Sequence, residues 1–215
     1  MLELTDVWPL FGLSISSPRL ELRLARDEDL PGIVEAVLGG IHDPSVMPFS
    51  NPWTDAIADE LVRNTVKHQW HTRSRIAPVN WTLNLVVRHE GIPIGMQDIG
   101  AHDFSIRKTV TTGSWLTLRH HGQGLGKEMR AAALLFAFDF LGVEVAESSA
   151  AVWNTSSLGV SRSLGYELGS VKRVVTRPGE CTERQEVRVT PAGFNRPDWT
   201  LRVAGLEEAR GDLLG

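Results

Sequence analysis

The sequence predicts a mixed α/β domain, with a central sheet of about seven strands and helices on its flanks. Three observations carry this prediction. Short runs that alternate apolar and polar residues, Leu20-Glu21-Leu22-Arg23-Leu24 being the clearest, have the period of half-buried strands. Between such runs lie longer stretches whose apolar residues recur at helical spacing. In mid-chain, a β-type run passes through a glycine-rich turn directly into a helix.

The elements follow in order. Residues 20–24 form the first strand. Asp27 caps a helix over residues 28–40, with Pro31 in its first turn and Gly39-Gly40 ending it. Pro44, Pro48 and Pro52, set among Phe49 and Trp53, force residues 42–54 into a loop that is a rigid wall rather than a mobile linker. A second helix covers residues 55–71. Residues 81–88, 93–101 and 109–118 read as three strands, with His89-Glu90-Gly91 as a hairpin loop. The helix after the glycines places Met129, Ala132, Ala133, Phe136 and Phe140 on one core-facing stripe. Residues 146–152 are a short strand, Asn154 caps the next helix, and residues 166–177 and 182–190 are a closing pair of strands. Residues 1–215 read as one domain, its core at about 17–190 and residues 191–215 a short tail or a partner-contacting extension.

Composition bounds the function. A chain of 215 residues, 42% apolar, can bury a sizeable core. Its net charge of −4 argues against a general binder of DNA or RNA. The one cysteine, Cys181, permits no intrachain disulfide, which fits a reducing cytoplasm and leaves no Cys-rich metal site. The start Met1-Leu2-Glu3-Leu4-Thr5-Asp6 lacks the basic residues of a signal peptide, and no apolar run reaches the length of a membrane span. The expected location is the cytoplasm, with no metal and no membrane.

The chemistry concentrates in Trp115-Leu116-Thr117-Leu118-Arg119-His120-His121-Gly122-Gln123-Gly124-Leu125-Gly126-Lys127-Glu128. A strand, a glycine turn and a helix start aim backbone N–H groups and the positive end of a helix dipole at one spot, a seat for a pyrophosphate. The cluster Arg119, His120, His121, Lys127 and Arg130 adds positive charge around it. Spacing separates the cofactors. A dinucleotide fold needs G-x-G-x-x-G, and this turn reads G-x-G-x-G in mid-chain. A nucleotide P-loop needs Ser or Thr after Gly-Lys, where this chain has Glu128.

The pattern resembles that of the GNAT superfamily of CoA-dependent acyltransferases, whose fingerprint Gln/Arg-x-x-Gly-x-Gly/Ala joins the fourth strand to the following helix. Here it reads His121-x-x-Gly124-x-Gly126, with His121 in place of Arg or Gln. The shifted register Arg119-x-x-Gly122-x-Gly124 satisfies the pattern literally but moves the helix start. A second block, Asn154-Thr155-Ser156-Ser157 followed by Ser161-Arg162-Ser163-Leu164-Gly165-Tyr166, is similar to the family's Asn-x-x-Ser helix and Leu-Gly-Phe/Tyr. The resemblance covers about residues 17–190. The 42–54 loop, with Gly113-Ser114-Trp115-Leu116 and the helix start Met129-Arg130-Ala131-Ala132, resembles an actinobacterial branch similar to the Rim-type ribosomal-protein N-acetyltransferases, which includes a succinyl-CoA-dependent member.

The resemblance implies a sheet splayed between its fourth and fifth strands. Pantetheine then lies against the edge Leu116-Thr117-Leu118, and the pyrophosphate lies on the amides of His121, Gly122, Gln123, Gly124, Leu125, Gly126 and Lys127. Asn154 serves as cap and cofactor contact combined. The donor is acetyl-CoA or succinyl-CoA, the acceptor a primary amine of a small molecule, peptide or protein, and the reaction direct attack. Ser157 and Ser161 are the candidates for the acid that protonates the departing thiolate. Asp98, His102, Asp103 and His42 are the candidates for the base, and the sequence does not choose among them. A succinyl donor needs a cationic or hydrogen-bonding partner for its free carboxylate, for which Arg63, Lys67, Arg73, Arg75 and His42 are available. Exposed strand edges and the C-terminal extension offer surfaces for a homo-oligomer. A non-catalytic acyl-CoA sensor would keep the cofactor seat without turnover, and a Rossmann-type oxidoreductase would bind a nicotinamide or flavin instead.

Overall fold

The computed structural model describes residues 1–214. Its strands are Ser14–Ser16 (β1), Leu20–Leu24 (β2), Asn80–His89 (β3), Ile92–His102 (β4), Thr109–Leu116 (β5), Val145–Ala151 (β6), Glu167–Arg177 (β7), Glu180–Val189 (β8) and Arg202–Ala204 (β9). They form one sheet in the order β7-β8-β6-β5-β4-β3-β2-β1-β9. Neighbours are antiparallel except β5 and β6, which run parallel. The helices are Leu4–Val7 (α1), Leu30–Leu38 (α2), Ala58–Ser74 (α3), Phe104–Arg107 (α4), Leu125–Leu135 (α5), Thr155–Ser163 (α6) and Leu206–Leu214 (α7).

The seven expected strands are present, and β1 and β9 extend the sheet at one end. β9 pairs with β1, and α7 packs on the turn Pro9–Gly12 at the other end of the chain. Phe194, Leu201, Leu206, Ala209 and Leu213 join the main core, and the Trp81 indole N–H donates to the Leu213 carbonyl at 2.9 Å. Residues 191–214 are therefore not a tail. Their polar surface residues hid an apolar set spaced too widely to read as one element. Two other expectations move. The second helix begins at Ala58, after a single turn at Trp53–Asp55. The fourth strand ends at Leu116, not at residue 118.

Period-two alternation assigns the two faces. Leu83, Leu85, Ile99 and Val110 face the main core with α5. Val86, Met96 and Trp115 face the other way, against Ile33 of α2, and a third cluster joins Val37 and Ile41 to Leu61 of α3. The β3–β4 turn is tight because Glu90 and Gly91 both take positive φ, 51° and 79°. Helix α5 is buried nearly all round rather than along one stripe. The sheet covers one side and the C-terminal segment another, with Phe138 against Phe194 and Arg196 paired to Asp139.

One interruption of the sheet positions the site. β5 pairs with β4 along Val110–Leu116, but with β6 only over Thr109–Thr111. β6 stays with β8 through Ala151, so beyond Thr111 and Glu147 the two parallel strands part. Only side-chain links follow, Ser148 Oγ to the Thr112 carbonyl at 2.8 Å and Thr112 Oγ1 to the Glu147 carbonyl at 3.3 Å.

Candidate active site: an open strand edge and a ring of unpaired amides

The glycine turn supplies donors. Gly122 and Gly124 have φ of 73° and 78°, a region L side chains rarely adopt, and Gly124 is the N-cap of α5. The helix therefore begins at Leu125, as the register from His121 through Gly124 to Gly126 requires. The six backbone N–H groups from Gly122 to Lys127 have no acceptor among the described residues. Six consecutive free donors at a positive helix end form a concave seat for an anion.

Two residues to which the sequence assigned no role, Glu128 and Arg19, fix this turn. Glu128, 7% exposed, accepts from Ser17 Oγ (2.7 Å) and the Arg19 amide (2.9 Å) on one oxygen, and from Arg19 Nε (2.7 Å) on the other. Arg19 Nη1 then donates to the Gln123 carbonyl at 3.1 Å, inside the turn. Burial pushes the Glu128 carboxyl up, but the bonds from Ser17 and Arg19 outweigh it and hold it below the usual range. An acidic residue in the first turn of a helix was the available signal; its partner, 109 positions away, had none.

The strand edge lies upstream of the expected one. The Thr117 amide donates to the Ile94 carbonyl (2.9 Å), and the Leu118 amide donates to that of Gly40 (3.0 Å), so neither is free. Thr117 is buried and its hydroxyl meets His120 Nδ1 at 2.6 Å. Because the Thr112 carbonyl faces β6, alternation turns the amide and carbonyl of Ser114 and the amide of Leu116 to the gap. The Leu116 carbonyl is met by His121 Nε2 at 3.0 Å, so the His121 ring braces the strand end. Burial, and then the charge of Arg119 and the neighbouring His89 and His121 rings, hold His120 below the ordinary histidine value.

Across the gap stands α6. Asn154 Oδ1 accepts the Ser157 amide at 3.1 Å and caps the helix. Arg130 does not join the phosphate cluster. It is 9% exposed and turns to α6, donating from Nη1 to Ser161 Oγ (2.8 Å) and from Nη2 to Ser157 Oγ (3.3 Å). No carboxylate pairs with it among the described residues, and burial lowers its pKa from that of a free guanidinium. Ser161 is 2% exposed, and its hydroxyl proton is committed to the Ser157 carbonyl at 3.1 Å. Ser157 accepts from Arg130 and lines the cavity, which leaves its own proton free to donate inward.

These parts enclose one cavity of about 790 Å³, in the range of a ligand site. Gly122, Gly124, Gly126 and Lys127 line one end, and the loop from Ile41 to Ser50 lines the other. Gln123 and Leu125 offer only their amides, since Leu125 is buried in the core and Gln123 folds back onto the Arg119 carbonyl. The 42–54 loop is held as a wall. His42 Nε2 meets Thr54 Oγ1 at 2.8 Å, and the Phe49, Trp53 and Trp115 rings lie 5.3 and 6.2 Å apart in series. From the β7–β8 hairpin, Arg177 pairs with Asp55 and reaches the Pro44 carbonyl, while Arg184 donates to the Pro48 carbonyl at 2.8 Å. Of the partners expected near a free acyl carboxylate, His42 alone lines the cavity; Arg73 is engaged by Asp27. The buried guanidiniums in the wall are Arg130, which the sequence placed in the phosphate cluster, and Arg184, which it did not single out. His102 and Asp103 are exposed at the far end of β4, bonded to each other at 2.6 Å.

Residues 19–167 match the acetyltransferase (GNAT) domain family. Solved structures share the fold at low identity. A Mycobacterium smegmatis RimJ in complex with CoA-disulfide has a TM-score of 0.67 and 17% identity, over 84% of this chain and 86% of that one. A RimL ribosomal L7/L12 alpha-N-protein acetyltransferase in complex with coenzyme A has a TM-score of 0.64 and 19% identity, over 81% and 95%. A spermidine N-acetyltransferase chimera from Vibrio cholerae and hSSAT has a TM-score of 0.62 and 16% identity, over 81% and 96%.

Proposed function

Since the chain belongs to the GNAT acetyltransferase family, we propose that it is a CoA-dependent N-acetyltransferase that moves an acetyl group from acetyl-CoA to a primary amine by direct attack. The observation that carries this reading is the pairing of six free amides at Gly122–Lys127 with an unpaired strand edge at Ser114 and Leu116. A pyrophosphate fits the first and the two amides of a pantetheine arm fit the second, as an added strand fits a sheet edge. The donor supplies a thioester carbon open to nucleophiles.

The residues around that position divide the work. The Ser114 and Leu116 groups hold the arm and point the thioester into the cavity. Ser157, polarised by Arg130, donates its proton to the departing thiolate. Ser161 and Asn154 hold Arg130 and α6 in place. The acceptor enters past Phe49, Trp53 and Trp115. The amine is that of a small molecule, a peptide or a protein N-terminus, and the cytoplasm is the compartment where acetyl-CoA would meet it.

A second donor is favoured by one observation. Arg130 and Arg184 sit in the cavity wall bonded to serines and backbone carbonyls, with no carboxylate partner among the described residues, and a succinyl group would bring one. Calorimetric titration with acetyl-CoA, succinyl-CoA and free CoA, followed by turnover on an amine panel, tests the proposal. Binding of acetyl-CoA with turnover that falls at least about 10-fold in Ser157→Ala, at unchanged CoA affinity, is expected. Binding without turnover would make the protein an acyl-CoA sensor, and no binding would overturn the cofactor assignment.

A further inference from the structure

One carboxyl in the sheet has no structural partner. Asp98 sits in mid-β4, between Asn84 of β3 and Gly113 of β5 in register. Met96, two residues earlier, packs with Ile33 and Val86, so Asp98 is turned to the face that α2 and α3 cover. Its Oδ1 is sealed from solvent without a hydrogen bond, although another part of the residue stays accessible.

The groups facing it are neutral. β3 presents Asn84, whose Oδ1 is also unpartnered, and β5 presents Gly113. α2 presents Ile33, Ala36 and Val37, and the buried face of α3 presents Thr65, Gln69 and Thr72. The titratable side chains of those elements lie elsewhere. Glu35 of α2 and Asp59, Glu60, Arg63, Lys67, His68 and His71 of α3 are exposed, Arg73 is held by Asp27, and Arg88, His89 and His102 sit at strand ends. Burial alone therefore acts on the carboxyl and pushes it up to about 7. A sealed carboxyl with no partner costs stability, and such groups concentrate where their ionisation is used.

Gly113 gives this carboxyl its outlet. Gly113 lines the cavity, and Asp98 Oδ2 lies 3.7 Å from the place a Cβ on Gly113 would occupy. A Cβ at 113 would stand in van der Waals contact with that oxygen, on a residue that itself lines the cavity. Trp115, on the same face, carries the wall of the acceptor end, and Ser114 carries the open edge.

Resting on the acyl-transfer reading, we propose that Asp98 is the general base, taking a proton from the acceptor's ammonium across Gly113, directly or through one water. The ammonium N–H bond breaks and its proton goes to the carboxylate. The freed lone pair forms the new C–N bond, and the C–S bond breaks with its electron pair on sulfur. The thiolate takes the Ser157 proton, the second proton of the attacking nitrogen passes through solvent to restore Ser157, and Asp98 releases its own to solvent. One proton is released per turnover.

The test compares wild type with Asp98→Asn and Asp98→Ala, using acetyl-CoA and the best amine of the panel from pH 5.5 to 9. Asp98→Asn is expected to lower kcat by about 10²–10⁴-fold with CoA affinity unchanged, and to remove a limb near pH 7 from the kcat/KM profile. Added formate is expected to restore part of the Asp98→Ala rate, which a structural role would not allow. A wild-type rate and an unchanged limb in Asp98→Asn would overturn the assignment and leave acyl transfer standing. If Asp98→Asn does not fold, absence of formate rescue in Asp98→Ala overturns it. A wild type that neither binds CoA nor transfers would remove both readings together.

Discussion

Glu128→Gln is the most direct probe of the clamp behind the glycine turn. The substitution keeps the shape of the side chain. The amide oxygen can still accept from Ser17 Oγ and from the Arg19 amide, as Oε1 does now. The other position becomes an NH₂ group facing Arg19 Nε and Nη2, both 2.7 Å from the present Oε2, so two charge-assisted bonds become a donor–donor contact. Arg19 is 46% exposed and can turn to water, so each loss is taken at about 1 kcal/mol rather than at the buried-pair value, about 2 kcal/mol in total. Arg19 then releases the Gln123 carbonyl, and CoA affinity is expected to fall about 3–10-fold as the turn loosens. The sign with pH is fixed. The folded-state pKa of Glu128 is depressed, so the stability it contributes is present above the unfolded value and lost as pH falls through the folded one. Urea unfolding of the two proteins should differ in full at pH 7 and converge only as pH falls below the ordinary glutamate range. A gap under about 0.5 kcal/mol at pH 7, or one that persists in acid, would refute the clamp.

Two further substitutions test the packing around the site. Gly165→Ala should be severe: φ is 89°, and the new Cβ would overlap the carbonyl oxygen of Gly193. Left-handed strain and a forced backbone shift together cost about 3 kcal/mol, a melting temperature lower by about 6–12 °C, and an unchanged melting curve would contradict the close approach. Asn154→Ala removes the α6 cap and should cost about 1 kcal/mol by urea titration, with Asn154→Ser retaining most of it.

The parts of the fold that were legible are those where local chemistry decides. The glycine turn, the Asn154 cap and the β3–β4 hairpin each rest on residues that are neighbours in sequence. The strand that was read too long shows the limit. Thr117 and Leu118 continue an apolar alternation, but their amides bond Ile94 and Gly40, and only tertiary contact ends the strand at Leu116. The same holds for charge. Arg119, His120, His121, Lys127 and Arg130 look alike on paper, whereas the structure exposes Arg119 and Lys127 and buries Arg130 against two serines some 30 positions on. Arg19, Arg177 and Arg184 act on partners more than 100 positions away, so no local pattern marks them.

The two arginines of the β7–β8 hairpin also set an order of events. Arg177 and Arg184 fasten a loop made 122 to 136 residues earlier. During synthesis, where earlier segments fold first, the glycine turn and its helix can form while that loop still lacks its anchors. The cavity thus acquires its floor before its far wall. A nascent chain arrested short of residue 177 would lack the two arginines that anchor this loop and, with them, a fixed acceptor entrance. Selectivity in this sense waits on a hairpin whose own outer strand lies open to solvent along most of its length.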